Sequence, residues 1–349
     1  MNEITLRAVD IALFDRLTGE ASTITITVHT HPDGDAIGSG TAMLAYLTRT
    51  LGKDAVLIVP DAAPDTLSFV TKGVPSGEIL DFERDTKAAK ARIEASDLLI
   101  VLDCNAFSRT AGMESLLSGS KASKILVDHH LNPDTASFNL VFSKTDISSA
   151  SELLFWVLMR TAAIGGDASK LPSKCAGALL TGMTTDTNNF ANSVFPSTFA
   201  MASSLLQAGV DRGAILASLY QSYRENRIRL MGCLFSEKLQ ITPQGVAYII
   251  LDEQTQARFD FRKGESEGFV NMPLSIAGVR MSIFITQEGD EFRTSVRSKV
   301  GTSANAFASR YFHGGGHELA AGGKLLRGKD FECAEDIKAY ILKAIAEFL

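Results

Sequence analysis

Apolar residues in the first half of the chain fall into short runs separated by polar turns. The run TITITV at Thr23–Val28 alternates with period two and is rich in β-branched residues, which is typical of a strand. Three further runs are typical of strands buried in a parallel sheet: residues 55–59, 98–102 and 125–127. Helical patterns occupy about residues 38–51, 148–163 and 172–182. This alternation predicts an α/β fold with a parallel sheet.

The pattern changes in the second half of the chain. Residues 197–238 read as helix, with a break at Gly209–Gly213. Beyond them the predicted elements are strands at 246–251, 275–286 and 291–298, a hairpin turn at 287–290, and helices at 303–312 and 334–349. We therefore predict an N-terminal parallel-sheet domain over residues 1–195, a helical connector over 196–238, and a smaller mixed α+β domain over 239–349.

Composition supports a globular protein with two domains. The chain has 349 residues, of which 45% are hydrophobic and 21% charged, enough to build substantial cores. Its apolar runs are too short to span a bilayer and the first residues lack a signal-peptide pattern, so we expect no membrane partner. The four cysteines are widely scattered and form no CxxC pair, which favours reduced thiols and a cytoplasmic location.

The formal net charge of −6 limits the nucleic-acid partners that we expect. Proteins that grip long polynucleotides carry a basic surface, because phosphate neutralisation supplies much of their affinity. No such basic stretch stands out here. Any nucleic-acid substrate is therefore expected to be short, with no binding of a long tract.

The six histidines form three pairs in polar loop segments: His29/His31, His129/His130 and His313/His317. A single histidine is more often structural than catalytic, but three such pairs favour chemistry. The first pair lies in HTHPDGDAIGS, directly after the TITITV strand. Asp33 and Asp35 are two residues apart, so in an extended turn they could each address a different cation. A simple N-cap aspartate explains one of these acids but not the other.

Other predicted elements also end in acidic residues. LLIVL is followed by Asp103, KILV by Asp128-His129-His130, and an apolar helical segment by Asp186. Carboxylates and imidazoles form a hard ligand set that favours Mn²⁺ or Mg²⁺ over structural zinc. So many acids at one sheet edge would repel one another without cations. The residues themselves thus predict a metal site.

Over roughly residues 23–190 the chain resembles the DHH phosphoesterase superfamily. The resemblance rests on four motifs in the family's order: HxxxDxD, a strand-end aspartate, the DHH triplet and a later aspartate. The resemblance implies two divalent cations, with Mn²⁺ preferred and Mg²⁺ or Co²⁺ as alternatives. It further implies the following roles: His29 and Asp33 hold one metal, Asp35, His129 and Asp186 hold the other, Asp103 bridges them, His130 binds or protonates the scissile phosphate, and Asp128 orients a histidine.

The C-terminal part contains a second candidate site. Gly314, Gly315 and Gly316 precede His317, and such a run can direct backbone N–H groups at an anion. A flexible glycine hinge is the plainer interpretation. Upstream, Arg297 ends a predicted strand and Asn305 opens the next helix, and arginine is the natural bidentate partner of phosphate.

Together these segments resemble the DHH-associated C-terminal domain, within the nanoRNase and pAp-phosphatase branch formerly called exopolyphosphatase-related. His313 departs from the glycine expected there, which leaves its role open. The resemblance implies that Arg297, Asn305, His317 and the three glycines bind the substrate, with the connector as a hinge. It implies hydrolysis of very short RNA or of the 3′-phosphate of pAp, through two-metal activation of a bridging hydroxide.

Several alternatives remain open at this point. The runner-up is a phosphodiesterase of linear or cyclic dinucleotides. A single-strand exonuclease of RecJ type and a family-II pyrophosphatase share part of the motif set. A nucleotide-binding regulatory protein without activity is the non-enzyme alternative, and metal-dependent release of phosphate or mononucleotide would exclude it. The sequence leaves the oligomeric state open, and a homodimer is compatible with it.

Overall fold

A computed structural model describes residues 4–221, 223–333 and 336–349. The chain divides into two compact units, Met1–Ser222 and Tyr223–Leu349. The first unit contains α1 (Ala8–Glu20), β1 (Thr23–Thr27), α2 (Gly34–Ala45), β2 (Asp54–Val59), α3 (Ser68–Thr71), β3 (Ile79–Asp81), α4 (Thr86–Ala95), β4 (Leu98–Leu102), α5 (Glu114–Gly119), β5 (Ser123–Asp128), β6 (Leu140–Ser143), α6 (Ala150–Arg160), α7 (Ser173–Asp186), α8 (Pro196–Gln207) and α9 (Arg212–Tyr220).

The second unit contains α10 (Glu225–Cys233), β7 (Gln240–Ile241), β8 (Val246–Leu251), α11 (Glu253–Arg258), β9 (Met281–Glu288), β10 (Glu291–Ser298), α12 (Ala304–Tyr311), β11 (Gly315–His317), β12 (Ala320–Leu326) and α13 (Asp336–Phe348). The predicted start of the last helix, at 334–335, lies outside the described residues. None of the helices in the described part of the chain is long and apolar enough to cross a membrane.

The sheet of the first unit is parallel throughout, in the order β3-β2-β1-β4-β5-β6. Its apolar strands are buried on both faces, as a parallel sheet requires. In β4, Leu98, Ile100 and Leu102 pack into one core, whereas Leu99 and Val101 pack into another. The two-residue period of the strand thus supplies two helix-covered faces, and the predicted α/β class is confirmed.

The strand order reverses direction between β1 and β4. Loops that leave the carboxyl ends of these neighbouring strands run to opposite faces of the sheet, which opens a crevice between them. Ligands of open α/β sheets bind at such a switch point. The HxxxDxD segment follows β1 and Asp103 follows β4, so the chain places its first candidate residues on the two sides of this crevice.

The start of α2 differs from the prediction. We expected helix from about residue 38, but α2 begins at Gly34 because the Asp33 carboxylate caps it, accepting from the N–H groups of Asp35 (3.0 Å) and Ala36 (3.1 Å). Asp35 therefore lies in the first helical turn rather than in an extended turn. The N-cap interpretation of Asp33 is correct. Capping does not account for a second acid at position 35, which the metal site explains.

The sheet of the second unit is mixed, in the order β11-β12-β10-β9-β8-β7. β8 and β9 are parallel, and the other neighbours are antiparallel. Side chains of α12 and α13 pack in one core with Val246 and Ile283, whereas Leu230 of α10 packs in another with Ile249 and Phe284. The predicted mixed α+β architecture is therefore confirmed for this part of the chain.

Three predicted segments of the second half differ in the structure. β9 begins at Met281, not at residue 275, because a 3₁₀ segment containing Pro273 precedes it. The predicted continuous helical stretch is interrupted after Gln207, as expected, and again between α9 and α10, so its helices are shared by the two units. The glycine run forms the edge strand β11 rather than a loop.

Candidate metal centre

Loops and element ends at the carboxyl edge of the first sheet carry the predicted metal ligands. His29 follows β1, Asp103 follows β4, and His129 follows β5. Asp186 is the last residue of α7, which packs closely on α2. Parallel strands that end at the same edge gather His29, Asp103 and His129, and the packing of α7 on α2 adds Asp186, more than 150 positions after His29.

One group of ligand atoms surrounds His29. Its Nε2 lies 3.3 Å from Asp103 Oδ2 and 3.9 Å from Asp33 Oδ1. The other ring nitrogen, Nδ1, lies 2.8 Å from the carbonyl oxygen of Thr30. A carbonyl only accepts, so Nδ1 carries the proton and Nε2 is directed at the carboxylates, the arrangement in which a histidine ligates a metal.

A second group surrounds His129. Its Nε2 lies 3.3 Å from Asp103 Oδ1, 3.3 Å from Asp186 Oδ2 and 3.8 Å from Asp35 Oδ2. The sets His29/Asp33/Asp103 and Asp35/Asp103/His129 each offer ligand atoms within 4.8 Å of one another. Asp103 belongs to both sets, with a different oxygen directed at each histidine.

Asp103 is buried and strained. Only 2% of its surface is exposed, and its backbone adopts φ of 52°, a region that non-glycine residues rarely occupy. Its buried Oδ1 atom makes no well-formed hydrogen bond with the described residues: His129 Nε2 and His130 Nδ1 lie 3.3 Å and 3.5 Å away. A buried carboxylate oxygen without a donor is costly. A cation between the two ligand sets would satisfy it.

The pKa values of these acids and histidines are shifted by burial and by one another. Burial and the charge of Asp103 raise the pKa of Asp35 to about 7, and burial and Asp35 raise the pKa of Asp186 well above its usual range. Burial alone would lower the pKa of His129, but Asp103 and Asp186 raise it to about 10. Burial would likewise raise the pKa of Asp103, but His129 and His29 hold it well below its usual range.

These residues fit divalent cations. Burial and the neighbouring carboxylates raise the pKa values of Asp35 and Asp186, and two imidazoles do not compensate these four acids. Bound cations would restore the ionised form of each acid. Oxygen-rich sets with imidazoles suit Mn²⁺ or Mg²⁺, and none of the four cysteines belongs to these ligand sets.

His130 is oriented by Asp128, which ends β5. The Asp128 carboxylate accepts hydrogen bonds from the backbone N–H of His130 (3.0 Å) and from its Nδ1 (2.8 Å). His130 Nδ1 also lies 3.5 Å from Asp103 Oδ1. The ring of His130 is thus fixed beside the ligand sets, with Nε2 as the nitrogen that Asp128 does not hold.

Sequence reasoning missed how Asp35 is anchored. Its two carboxylate oxygens accept hydrogen bonds from the first amides of α6, Ala150 N (2.6 Å) and Ser151 N (2.9 Å). A helix N-terminus favours negative charge, so the α6 amides oppose the rise in the pKa of Asp35 that burial and Asp103 cause. The signal was the pattern Ser149-x-x-Glu152 before an apolar run, in which Ser149 caps α6.

A second missed residue is Asp61, which lies just beyond β2 at the same sheet edge. Its carboxylate accepts hydrogen bonds from the backbone N–H of His31 at 2.8 Å and 3.0 Å. Asp61 thereby braces the loop that carries His29 and Asp33. His31, the companion of His29 in the sequence, is held at its backbone and is not part of either ligand set around Asp103.

In the second unit, the predicted substrate-binding residues share one face of the sheet. Arg297 on β10 is paired with Ala320 on β12, and Ala320 is paired with His317 on β11. Residues paired across antiparallel strands project from the same face. Arg297 and His317 therefore flank the small Ala320, and Asn305 in the first turn of α12 lies close to Gly315.

The glycine run is packed rather than flexible. A Cβ at Gly314 would lie 1.9 Å from the carbonyl oxygen of Gly322, and the Gly314 N–H already bonds to Ala308 O (3.3 Å). His313, whose role the sequence left open, lies 2.9 Å from Asp330 through Nε2. Close backbone approach, and not anion binding alone, accounts for glycine at position 314.

Comparisons with known proteins agree with this geometry. A model of the DHH family, N-terminal domain, matches residues 23–183, and a model of the DHHA1 domain matches residues 244–349. The bifunctional oligoribonuclease and PAP phosphatase NrnA of Bacillus subtilis is 29% identical over 312 residues, which cover 87% of this chain and 89% of that protein. A probable protein of the same description from Streptococcus mutans is 30% identical, covering 85% of this chain and 88% of its own length.

A solved structure resembles the whole chain. The crystal structure of an exopolyphosphatase-related protein from Bacteroides fragilis has a TM-score of 0.88 and 34% sequence identity. The match covers 98% of this chain and 97% of that one. Similarity therefore extends through both units and through the segments that carry the ligand sets and the glycine hairpin.

Proposed function

Because the chain belongs to the DHH family, we propose that it is a two-metal phosphoesterase that hydrolyses very short RNA and the 3′-phosphate of pAp. The observation that carries this proposal is the position of Asp103, whose two oxygens face two histidine-containing ligand sets. Relatives that share both domains are described as oligoribonuclease and PAP phosphatase. Manganese as the preferred metal, a cytoplasmic location and a homodimeric assembly remain predictions.

Asp103 and the residues around it would hold the cations, and the short distances between them support this assignment. His29 and Asp33 would hold one, Asp35, His129 and Asp186 the other, and Asp103 both. When bound, two such cations activate a water and neutralise the charge that develops on a phosphate. The α6 amides fix the two carboxylate oxygens of Asp35, and the hydrogen bond to Thr30 keeps His29 Nε2 available as a ligand.

His130 has a separate role in this proposal. Its Nδ1 is held by Asp128, so Nε2 is the atom that would donate a proton to a phosphate oxygen or to the leaving oxygen. The Asp128 carboxylate accepts from Nδ1 whether or not Nε2 carries a proton, so it fixes the orientation of the ring in both states. Asp128 therefore acts by positioning and polarising His130.

The second unit would recognise the rest of the substrate. Arg297 and His317 share a sheet face, and a guanidinium and an imidazole together suit a second phosphate. Asn305 adds an amide that can read a base or a sugar. A substrate recognised by so few groups is small, in agreement with the net charge of −6.

The test is a length series of substrates. Hydrolysis of pAp, a diribonucleotide, a pentamer and a 24-mer RNA would be measured with Mn²⁺, with Mg²⁺ and with a chelator. We expect metal-dependent activity that falls steeply with length. Equal or better hydrolysis of the 24-mer would favour an exonuclease of long strands, and no hydrolysis of any member would contradict the proposal.

A further inference from the structure

The loop after β4 carries an arginine, Arg109, that the proposed chemistry has not used. It lies half-buried in the 3₁₀ segment Phe107–Met113. Its main chain is fixed on both sides: its N–H donates to Ala106 O (3.1 Å), and its carbonyl accepts from Thr30 N (2.8 Å). Thr30 directly follows the predicted ligand His29, so Arg109 is tied to the loop that begins the metal centre.

The same segment is tied to the loop on the other side. Asn105 Nδ2 donates to Leu131 O (2.8 Å), and Asp134 N donates to Asn105 O (2.8 Å). Leu131 directly follows the DHH triplet. The loop after β4 therefore bridges the loops after β1 and β5, the two strands that flank it in the sheet. Arg109 is held at the edge where the ligand sets lie.

The guanidinium of Arg109 has no hydrogen bond or ion pair with the described residues. The other arginines of the first unit all have one, to carboxylates, backbone carbonyls or a side-chain amide: Arg7, Arg16, Arg49, Arg84, Arg92, Arg160 and Arg212. A half-buried guanidinium offers five donors in a fixed plane. Water can satisfy these donors while the site is empty, and an anionic ligand can replace that water.

Arg109 is tied to the metal centre through its main chain. Its carbonyl bonds to Thr30, the residue after His29, and the loop that carries it begins directly after Asp103. A cation cannot itself ligate a metal. Its complement at this edge is therefore an anion that comes with the substrate.

We infer that Arg109 binds a phosphate oxygen of the substrate beside the metal centre, which is an assignment that rests on the phosphoesterase function proposed above. Arginine recognises phosphate through two parallel N–H···O bonds, which fix orientation as well as neutralise charge. Because the backbone of Arg109 is bonded on both sides, the start of its side chain is fixed at this edge, and the guanidinium remains available for a ligand. It belongs to the first unit and supplies charge independently of Arg297.

The test compares Arg109→Met, Arg109→Lys and a control, Arg16→Met. Arg16 lies on α1, where it is exposed and pairs with Glu20. Three quantities are measured: kcat and KM for pAp and a diribonucleotide, Mn²⁺ affinity without substrate by electron paramagnetic resonance, and the midpoint of thermal unfolding. For Arg109→Met we expect kcat/KM to fall about 10- to 100-fold with Mn²⁺ affinity and unfolding unchanged.

Arg109→Lys should recover part of that loss, since it restores the charge but not the paired donors. Arg16→Met should stay within about twofold of the wild type. A parallel loss of Mn²⁺ affinity in Arg109→Met would overturn the inference, because Arg109 would then support the ligand loops instead of the substrate. Unchanged kcat/KM with intact metal binding would overturn it as well.

A binding measurement separates this inference from the proposed function. Inorganic phosphate would be titrated into the manganese-loaded wild type and Arg109→Met by calorimetry. If the wild type hydrolyses none of the substrates, the proposed function fails, but weaker phosphate binding by Arg109→Met still supports the anion site. Equal phosphate affinity in the two proteins would contradict the site even if hydrolysis is observed.

Discussion

The two candidate sites differ in how their side chains are held. In the first unit, His29, Asp35, Asp103 and His129 are each at most 6% exposed, and their contacts come from loops and helix ends far apart in sequence. In the second unit, Arg297 and His317 are half-buried and project from one face of a sheet. One site is enclosed by packing, and the other lies on a surface.

This difference matches the demands of the two proposed tasks. Metal ligands must be fixed before the reaction, since a misplaced carboxylate loses both affinity and charge stabilisation. Recognition of a remote phosphate or base tolerates variation, and it needs exposed donors. We therefore expect substitutions in the first site to affect turnover and metal binding, and those in the second to affect KM.

The largest effect is expected for Asp103→Asn. This change keeps the shape of the side chain but removes the charge shared by both ligand sets, so kcat for pAp with Mn²⁺ should fall by about 10³-fold or more. Asp146→Asn is the matched control, because Asp146 is 78% exposed and contacts only Lys144 among the described ion pairs. Turnover near that of the wild type, measured with bound Mn²⁺ per chain, would refute the shared-ligand model.

Gly182→Ala tests the packing that encloses Asp35. A Cβ at Gly182 in α7 would lie 2.1 Å from Ser151 Oγ and 2.8 Å from Asp35 Oδ1. We expect the free energy of unfolding to fall by about 1–3 kcal/mol and Mn²⁺ affinity to fall about 10- to 100-fold. Calorimetric unfolding and metal titration would measure the two effects.

The same helix supplies the control, Gly177→Ala. Nothing lies within 4 Å of a Cβ at Gly177, so alanine should stabilise α7 by up to about 1 kcal/mol through its helix propensity and leave Mn²⁺ affinity unchanged. If both variants lose metal affinity equally, the enclosure of Asp35 is not what holds the ligand.

The parts of the site that the sequence predicts are those encoded locally. Asp103 and the DHH triplet follow apolar runs whose strand character is evident, and parallel strands bring their ends to one edge. The amides that anchor Asp35 come from residues 115 and 116 positions away, so no local pattern connects them. The backbone bond between Thr30 and Arg109 is likewise a product of strand order.

The second site was harder to predict for a different reason. Three consecutive glycines carry no side chains whose pattern could distinguish a loop from a strand. Pairing with β12 decides the outcome, since small residues face each other in the register of Gly315 with Gly322 and Gly316 with Ala321. The order of β10, β12 and β11, which puts Arg297 and His317 on one face, is not evident from their spacing.

For Arg297→Ala we expect a change in KM rather than in turnover. Loss of a charge-assisted contact with a second phosphate should raise KM for pAp about 10- to 100-fold, with kcat and Mn²⁺ affinity close to wild type. Arg293→Ala is the control, since Arg293 lies four residues earlier on β10 and is exposed. A fall in kcat without a change in KM would assign Arg297 to the reaction step.

The smallest effects are expected for alanine substitutions in the glycine run, and they distinguish a packing role from a substrate-binding role. Gly314→Ala places a Cβ 1.9 Å from Gly322 O, and we expect it to lower the free energy of unfolding by about 1–3 kcal/mol. At Gly315 the nearest atom to a Cβ is 3.5 Å away, Asn305 Oδ1, so alanine there should cost less than about 1 kcal/mol. Denaturant unfolding measures both changes.

A stable Gly315→Ala variant with a raised KM for pAp would show that substrate approaches this strand, because the added methyl group obstructs only a ligand. An unchanged KM would mean that the glycine run serves only the packing of the sheet. Substrate recognition in the second unit would then rest on Arg297, His317 and Asn305.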